Sequence, residues 1–231
     1  MIKIEHIVTA SPEQMEFIIE GMRNPMNSWD KSDSYAGHEN MGSGNEYFHL
    51  GENDHSLMQR LSNAGTDDRK FMRMMPVYVR ITAPLYWYKE FDTYKVGTVA
   101  NSCSTMHKIA AKEFKIEDFS TDKLQTAYND DPMDAHFEGV TRYGSDDVLN
   151  IIVRVLNYYR HRYILTKDKV YWWQMIQLLP SSYNQTRNVM LNYEVLANIY
   201  KSRKDHKLDE WREFCRWVTT LPYSELITGD R

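Results

Sequence analysis

The chain opens with an alternation. Ile2, Ile4 and His6 are interleaved with Lys3 and Glu5, a period of two that predicts a strand. Ser11-Pro12-Glu13-Gln14 then reads as a helix start. Ser11 can serve as N-cap, Pro12 suits the first helical position and Gln14 completes a capping box. Met15, Ile18, Ile19 and Met22 recur at helical spacing until Asn24-Pro25 ends the run. Residues 26–53 are polar and rich in Gly, Asn and Ser, which predicts a long loop with a short strand at Tyr47–Leu50. Leu57, Met58 and Leu61 give the buried side of a helix starting at Asp54, with Gly65 as its stop and Thr66 capping a short helix after it. Val77–Thr82 alternates and is β-branched, so it reads as a strand. Pro84 opens an aromatic helix, LYWYKEFDTYK.

Residues 115–144 are charged and irregular, an insertion-like connection. Beyond them the pattern is helical, with helices expected over about 145–163, 167–178, 184–203 and 208–220 and a break at Pro180. The predicted architecture is therefore α+β, with a few early strands and a late helical bundle, and no internal repeat. Composition adds bounds. The 231 residues are 42% hydrophobic, enough for one packed core. A net charge of −4 provides no basic field for duplex nucleic acid, though a few local cations suffice for a small anion. No apolar run is long enough to span a membrane, and the N-terminus lacks a signal-peptide core. The only cysteines are Cys103 and Cys215; they form no zinc spacing, no disulfide framework and no nucleophile motif, so a reducing cytoplasm is the expected setting.

One spacing in the last third carries chemistry. Asn192 follows Pro180 by twelve residues, and Arg203 follows Asn192 by eleven. On a continuous helix eleven residues are three turns, so the two side chains share a face roughly 16 Å apart along the axis. An amide there can read a ring edge by paired donor and acceptor, and a guanidinium can grip a phosphate. The plain alternative is an amphipathic helix with Val189, Leu196 and Ile199 packed and the polar pair exposed.

The order Leu179-Pro180, Asn192, Arg203, then Asp205 and Trp211, resembles the end of a flavin-dependent thymidylate synthase of the ThyX type. A second stretch, APLYWYKEFDTYKVGTVANSCSTMH, resembles the family's Arg-His-Arg signature region. Lys89 and Glu90 fall at the family's Arg-Gln, and Thr93, Tyr94 and Lys95 at Arg-His-Arg. Thr98 falls at the first signature Ser. After one inserted residue, Asn101, Ser104, Met106 and His107 fall at Asn, Ser, Arg and Tyr. The resemblance spans about 77–107 and 145–220. It implies one ThyX-like domain over 1–231, with a curved, mainly antiparallel sheet, helices and a C-terminal helical bundle. It further implies a homotetramer with sites between subunits, FAD as cofactor and dUMP as substrate. Degenerate relatives of this kind look phage-encoded.

The frame holds while its chemistry thins. Thr93 and Met106 replace two signature arginines, and Tyr94 replaces an imidazole. Glu90 replaces a Gln; an ionised Glu only accepts hydrogen bonds and so favours a donor-rich ligand edge such as an amino-bearing base. The flavin-binding His-x-Ser-x-x-Glu-His element should fall at Gly65–Phe71, where none of its key residues is present. The resulting expectation is a nucleotide-binding protein using Asn192, Arg203, Lys95, Lys89, Glu90, Tyr94, Thr98 and Ser104. An active synthase methylating dUMP and a non-catalytic scaffold are its rivals. Arg160-His161-Arg162 repeats the signature letters at the wrong place and reads as a basic helix end. His38, His49 and His55, and the group Asp130, Asp131, Asp134 and His136, match no metal-ligand spacing; Gly42-Ser43-Gly44 is too short for a phosphate cradle. Tyr171-Trp172-Trp173 reads as core or subunit interface.

Overall fold

The computed structural model describes residues 2–38, 46–126 and 144–229. Two groups of segments make most of their contacts internally: Ile2–Ile81, Glu90–Asn101 and Arg187–Arg231 in one, Thr82–Lys89 and Ser102–Thr186 in the other.

The first unit is built on a sheet. Its strands are β1 (Lys3–Thr9) and the larger parts of β4 (Pro76–Pro84), β5 (Val99–Ser102) and β6 (Asn184–Asn192), in the order β1-β4-β6-β5. The larger sheet is antiparallel and the fold mixed α/β. β4 alternates as its sequence predicts, with Val77, Val79 and Ile81 buried. Helix α1 (Pro12–Arg23) forms where the capping box sits: Ser11 Oγ accepts from the Gln14 amide at 3.2 Å, and the Ser11 amide donates to Gln14 Oε1 at 2.9 Å. Its face of Met15, Ile18, Ile19 and Met22 is buried. The 26–53 segment carries more order than expected. A hairpin of β2 (Tyr35–His38) and β3 (Glu46–His49) lies within it, Tyr35 opposite His49.

A buried ion pair fixes that segment. Arg23 Nε donates to Asp54 Oδ1 at 2.6 Å, and the two side chains are 4% and 0% exposed. The other oxygen of Asp54 accepts from Ser32 Oγ and from the Asp33 and Ser34 amides, at 2.8 to 3.0 Å. Burial pushes the Asp54 carboxyl up, but its hydrogen bonds from Ser34, Ser32, Arg23 and Asp33 outweigh burial and hold it below the ordinary value. Asp54 belongs to helix α2 (Glu52–Asn63), whose first amides are met from outside the helix: Asp33 accepts from Asn53 and Asp54 at 2.9 and 3.1 Å. That approach needs Gly51. A Cβ there would lie 2.1 Å from Asp33 Cγ and 2.5 Å from its carbonyl oxygen. Gly51→Ala is therefore expected to lose about 1–2 kcal/mol, the worth of a helix cap, read as a lower urea midpoint at unchanged slope.

The largest departure from expectation is at 184–203. The predicted single helix is a strand, β6, followed by α7 (Tyr193–Arg203). Val189 and Leu191 alternate inward as strand residues, and β6 lies between β4 and β5. Pairing on both edges overrides the helical periodicity that Val189, Leu196 and Ile199 suggest. Asn192 is therefore the N-cap of α7 and Arg203 its last residue, rather than two interior residues of one long helix. Helix α8 (Asp209–Val218) buries Trp211, Phe214, Cys215 and Val218, and a short α9 (Glu225–Thr228) follows.

The second unit holds α3 (Leu85–Phe91, which continues into the first), α4 (Thr105–Lys108), α5 (Ser145–Thr166) and α6 (Lys169–Leu178). Its core joins Ile109, Phe114 and Phe119 to Leu149, Val153 and Leu156 of α5 and Met175 of α6. Arg160 donates to the Ala110 carbonyl at 3.1 Å and Arg162 to the Tyr171 hydroxyl at 2.9 Å, so the Arg-His-Arg run has a helix-packing role. No described helix is long and apolar enough to cross a membrane.

Candidate functional site

The site grows from the end of α3 and the end of α7. Glu90 sits in the last turn of α3, and a turn closed by the Tyr94 amide on the Phe91 carbonyl at 3.0 Å brings Tyr94 back beside it. Phe91 is buried against Trp211 and Phe214 of α8, which fixes where that turn lies. Arg203 ends α7 and enters from the other side. Its Nη1 meets Glu90 Oε2 at 2.7 Å and its Nε donates to the Tyr94 hydroxyl at 2.9 Å. The guanidinium carbon lies 5.0 Å from the Trp211 ring centre and 5.8 Å from that of Tyr94. Such stacking suits a flat, weakly hydrated cation.

Glu90 is the hub of the cluster. Its Oε2 also accepts from the Trp211 indole at 2.8 Å and lies 3.5 Å from His206 Nε2. The His206 Nδ1 accepts from the Leu208 amide at 3.2 Å, so the imidazole proton sits on Nε2, facing the carboxylate. One internal anion is thus matched to the cation expected to hold a ligand's phosphate, with Arg203 at 20% side-chain exposure. In this arrangement Glu90 serves Arg203 and Trp211 before any ligand.

Asn192 is the N-cap of α7. Its Oδ1 accepts from the Val195 amide at 3.0 Å, and the residue is 9% exposed. Gly97 lies directly over its amide: φ is +80° and a Cβ at Gly97 would come within 2.7 Å of Asn192 Nδ2. Asn192 and Arg203 therefore stand at opposite ends of α7, an 11-residue helix. Lys95 and Lys89 are exposed. Thr98 Oγ1 is buried with no hydrogen-bond partner among the described residues. Ser104 caps α4, accepting from the His107 amide at 3.1 Å. Of the eight expected residues, Glu90, Tyr94 and Arg203 meet in one cluster.

A second charged cluster escaped the sequence reading. Glu194, two residues into α7, accepts from Arg73 Nη2 at 3.2 Å and lies 3.4 Å from Arg69 Nε; Arg69 also donates to Asn198 at 3.1 Å. The hydrogen bond from Arg73 holds the Glu194 carboxyl below the usual range against the opposing effect of burial. An acid just after a helix N-cap, facing two arginines four apart, is the signal that could have found it. The histidines of the 26–55 region are dispersed: His55 pairs with Glu225 at 2.8 Å and His49 packs on Tyr35 at 5.0 Å between ring centres. Among the described residues no group of His, Cys, Asp and Glu could hold a metal. Gly42-Ser43-Gly44, Asp130, Asp131, Asp134 and His136 lie outside them. Cys103 is exposed; Cys215 is buried, and burial pushes its thiol up to about 11.

No family model and no curated protein sequence matches the chain. Solved structures do. ThyX from Helicobacter pylori, with FAD and dUMP, superposes with a TM-score of 0.60 at 14% identity, over 99% of this chain and 96% of that one. The UMP/dUMP methylase PolB from Streptomyces cacaoi, bound with 5-Br dUMP, gives 0.57 at 13% identity, over 100% and 94%. The fold is ThyX-like. Coverage extends across nearly the whole of each chain, including the 26–70 stretch for which the sequence offered no counterpart. The identity carries the likeness of fold alone.

Proposed function

We propose that the chain is a ThyX-like nucleotide-binding protein with a degenerate synthase site, taking one phosphate-bearing nucleotide in a cleft between subunits of a homotetramer. The whole of 1–231 forms one ThyX-like domain in this reading. The observation that carries it is the Arg203 guanidinium, held against the adjoining Tyr94 and Trp211 rings. It keeps a preorganised cation at the position where the family resemblance places the residue for the substrate's phosphate region. The solved neighbours were crystallised with dUMP or its bromo analogue.

The residues present fit FAD poorly. A flavin dinucleotide brings two phosphates, which need several fixed cations. Arg203 is matched by Glu90, Arg69 and Arg73 share Glu194, and Asn192 is engaged as a helix cap beneath Gly97. A mononucleotide needs fewer cations, and displacing one internal carboxylate from Arg203 suffices for it.

Calorimetric titration with dUMP, UMP and dCMP tests the reading. Binding by the wild type is expected, and Arg203→Ala should weaken it on the order of 10- to 100-fold, the worth of a charge-assisted hydrogen-bond pair. A wild type that binds no nucleotide would overturn the proposal. Flavin absorbance in the purified protein would move the assignment to catalysis.

A further inference from the structure

Three donors converge on one oxygen of Glu90. Its Oε2 meets Arg203 Nη1 at 2.7 Å, the Trp211 indole at 2.8 Å and His206 Nε2 at 3.5 Å. Its Oε1 has no partner among the described residues. A carboxylate oxygen offers about two lone-pair sites, and an ordinary N–H···O contact is about 2.9–3.0 Å. Arg203 and Trp211 fill both sites, and His206 is left just outside bonding distance. The imidazole is braced there from its own side. Its Nδ1 accepts from the Leu208 amide at 3.2 Å, its backbone amide donates to the Arg203 carbonyl at 3.0 Å, and Arg212 Nη1 donates to its carbonyl at 2.9 Å. The ring lies edge-on to Trp211, with 6.4 Å between ring centres. With Nδ1 engaged as an acceptor, the neutral imidazole offers Nε2–H to Glu90 without taking up a proton.

We propose that His206 is the second seat of the Glu90 carboxylate. A ligand phosphate that takes Arg203 hands Glu90 over to the His206 Nε2–H, and the Trp211 indole holds the carboxylate throughout. The inference rests on the nucleotide-binding reading above and deepens it, because it supplies the place to which the displaced anion goes. The lone-pair site that Arg203 vacates is the one His206 lacks, and the transfer takes a movement of about half an ångström. Glu90 is the freer partner, 35% exposed against 24% for His206. Without this seat, the carboxylate would keep one donor while a second anion arrived beside it, and repulsion of like charges would oppose binding. His206 is thus a positioning residue: it acts on affinity through Glu90 and touches no ligand.

Calorimetric titration with dUMP, UMP and dCMP across a double-mutant cycle tests the transfer. His206→Asn keeps an acceptor for the Leu208 amide and removes the Nε2–H. It should weaken each monophosphate that the wild type binds about tenfold, the low end of the worth of a hydrogen bond to a charged group, with the urea midpoint unchanged. His206→Gln returns an N–H near the Nε2 position and should restore most of the affinity. In the Glu90→Gln background no anion needs a seat, so His206→Asn should change affinity less than about twofold. An equal loss in both backgrounds, or a loss that comes with a lower urea midpoint, overturns the transfer and leaves His206 a brace for α8. In the wild type itself, the Nε2 proton resonance of His206, identified by its proximity to the Trp211 indole proton, should move downfield as the monophosphate binds. A resonance that stays in place overturns the transfer even where the variants fail to fold. Undiminished binding by His206→Asn overturns it too and leaves the nucleotide reading standing. A wild type that binds none of the three nucleotides overturns both.

Discussion

Replacing Asp54 with Ala is expected to cost about 3–5 kcal/mol, the range for breaking a buried ion pair from one side. The variant strands the Arg23 guanidinium, 4% exposed, with Ser28 as its remaining acceptor among the described residues. It also releases the Ser32 hydroxyl and the Asp33 and Ser34 amides, so the segment leading into β2 loses its anchor. Chemical denaturation would measure this, and a loss below about 1 kcal/mol would show that the segment is anchored elsewhere. The same carboxylate sets a pH dependence. Its folded-state value lies below the unfolded one, so its contribution is complete above about 3.9, the ordinary aspartate value, and fades as pH falls below it. Glu194, shifted in the same direction by Arg73, adds to that acid sensitivity. Wild-type stability should therefore drop steeply on acidification below about pH 4, and Asp54→Ala should show a shallower drop.

Changing Glu90 to Gln is expected to tighten nucleotide binding on the order of tenfold. The substitution keeps the side-chain shape and an acceptor for the Trp211 indole, but removes the anion that pairs with Arg203 at 2.7 Å. A ligand phosphate then meets an unpaired guanidinium rather than one it must win from a neighbour. About 1.4 kcal/mol, well within the worth of a charge-assisted hydrogen bond, corresponds to that factor. Glu90 is 35% exposed, so loss of the pair should cost little stability. Titration of a nucleoside monophosphate at two salt concentrations checks the idea. Unchanged or weaker affinity would mean that Glu90 contacts the ligand itself, reading a donor-rich base edge.

Much of the architecture was legible where local signals agree with burial. Ser11 and Gln14 specify the start of α1, and the two-residue alternation through Val77, Val79 and Ile81 specifies β4, because each local preference points the same way as its packing. The 184–203 stretch was misread for a physical reason. Only Val189 and Leu191 carry the strand alternation of β6, a weak signal beside a long apolar rhythm at helical spacing. The corrective clue was Asn192 itself. Asn is a poor helix-interior residue and a favoured N-cap, so its place in the pattern marked a helix start. The meeting of Glu90, Tyr94, Arg203 and Trp211 was legible only through family resemblance. These residues come from α3, the turn after it, α7 and α8, and nothing in local periodicity sets how such segments converge. That Glu90 would neutralise Arg203 was not legible at all, since the pairing depends on a 113-residue separation being closed.

Trp211 occupies an unusual electrical position. A positive charge lies over its ring at 5.0 Å, while a negative charge accepts from its indole N–H at 2.8 Å. Both charges belong to the one ion pair that, in the proposed binding, an incoming phosphate separates. The indole therefore stands across the same field that the ligand rearranges, and its near-ultraviolet emission should shift as the pair opens. The chain carries its own optical voltmeter for the state of Arg203.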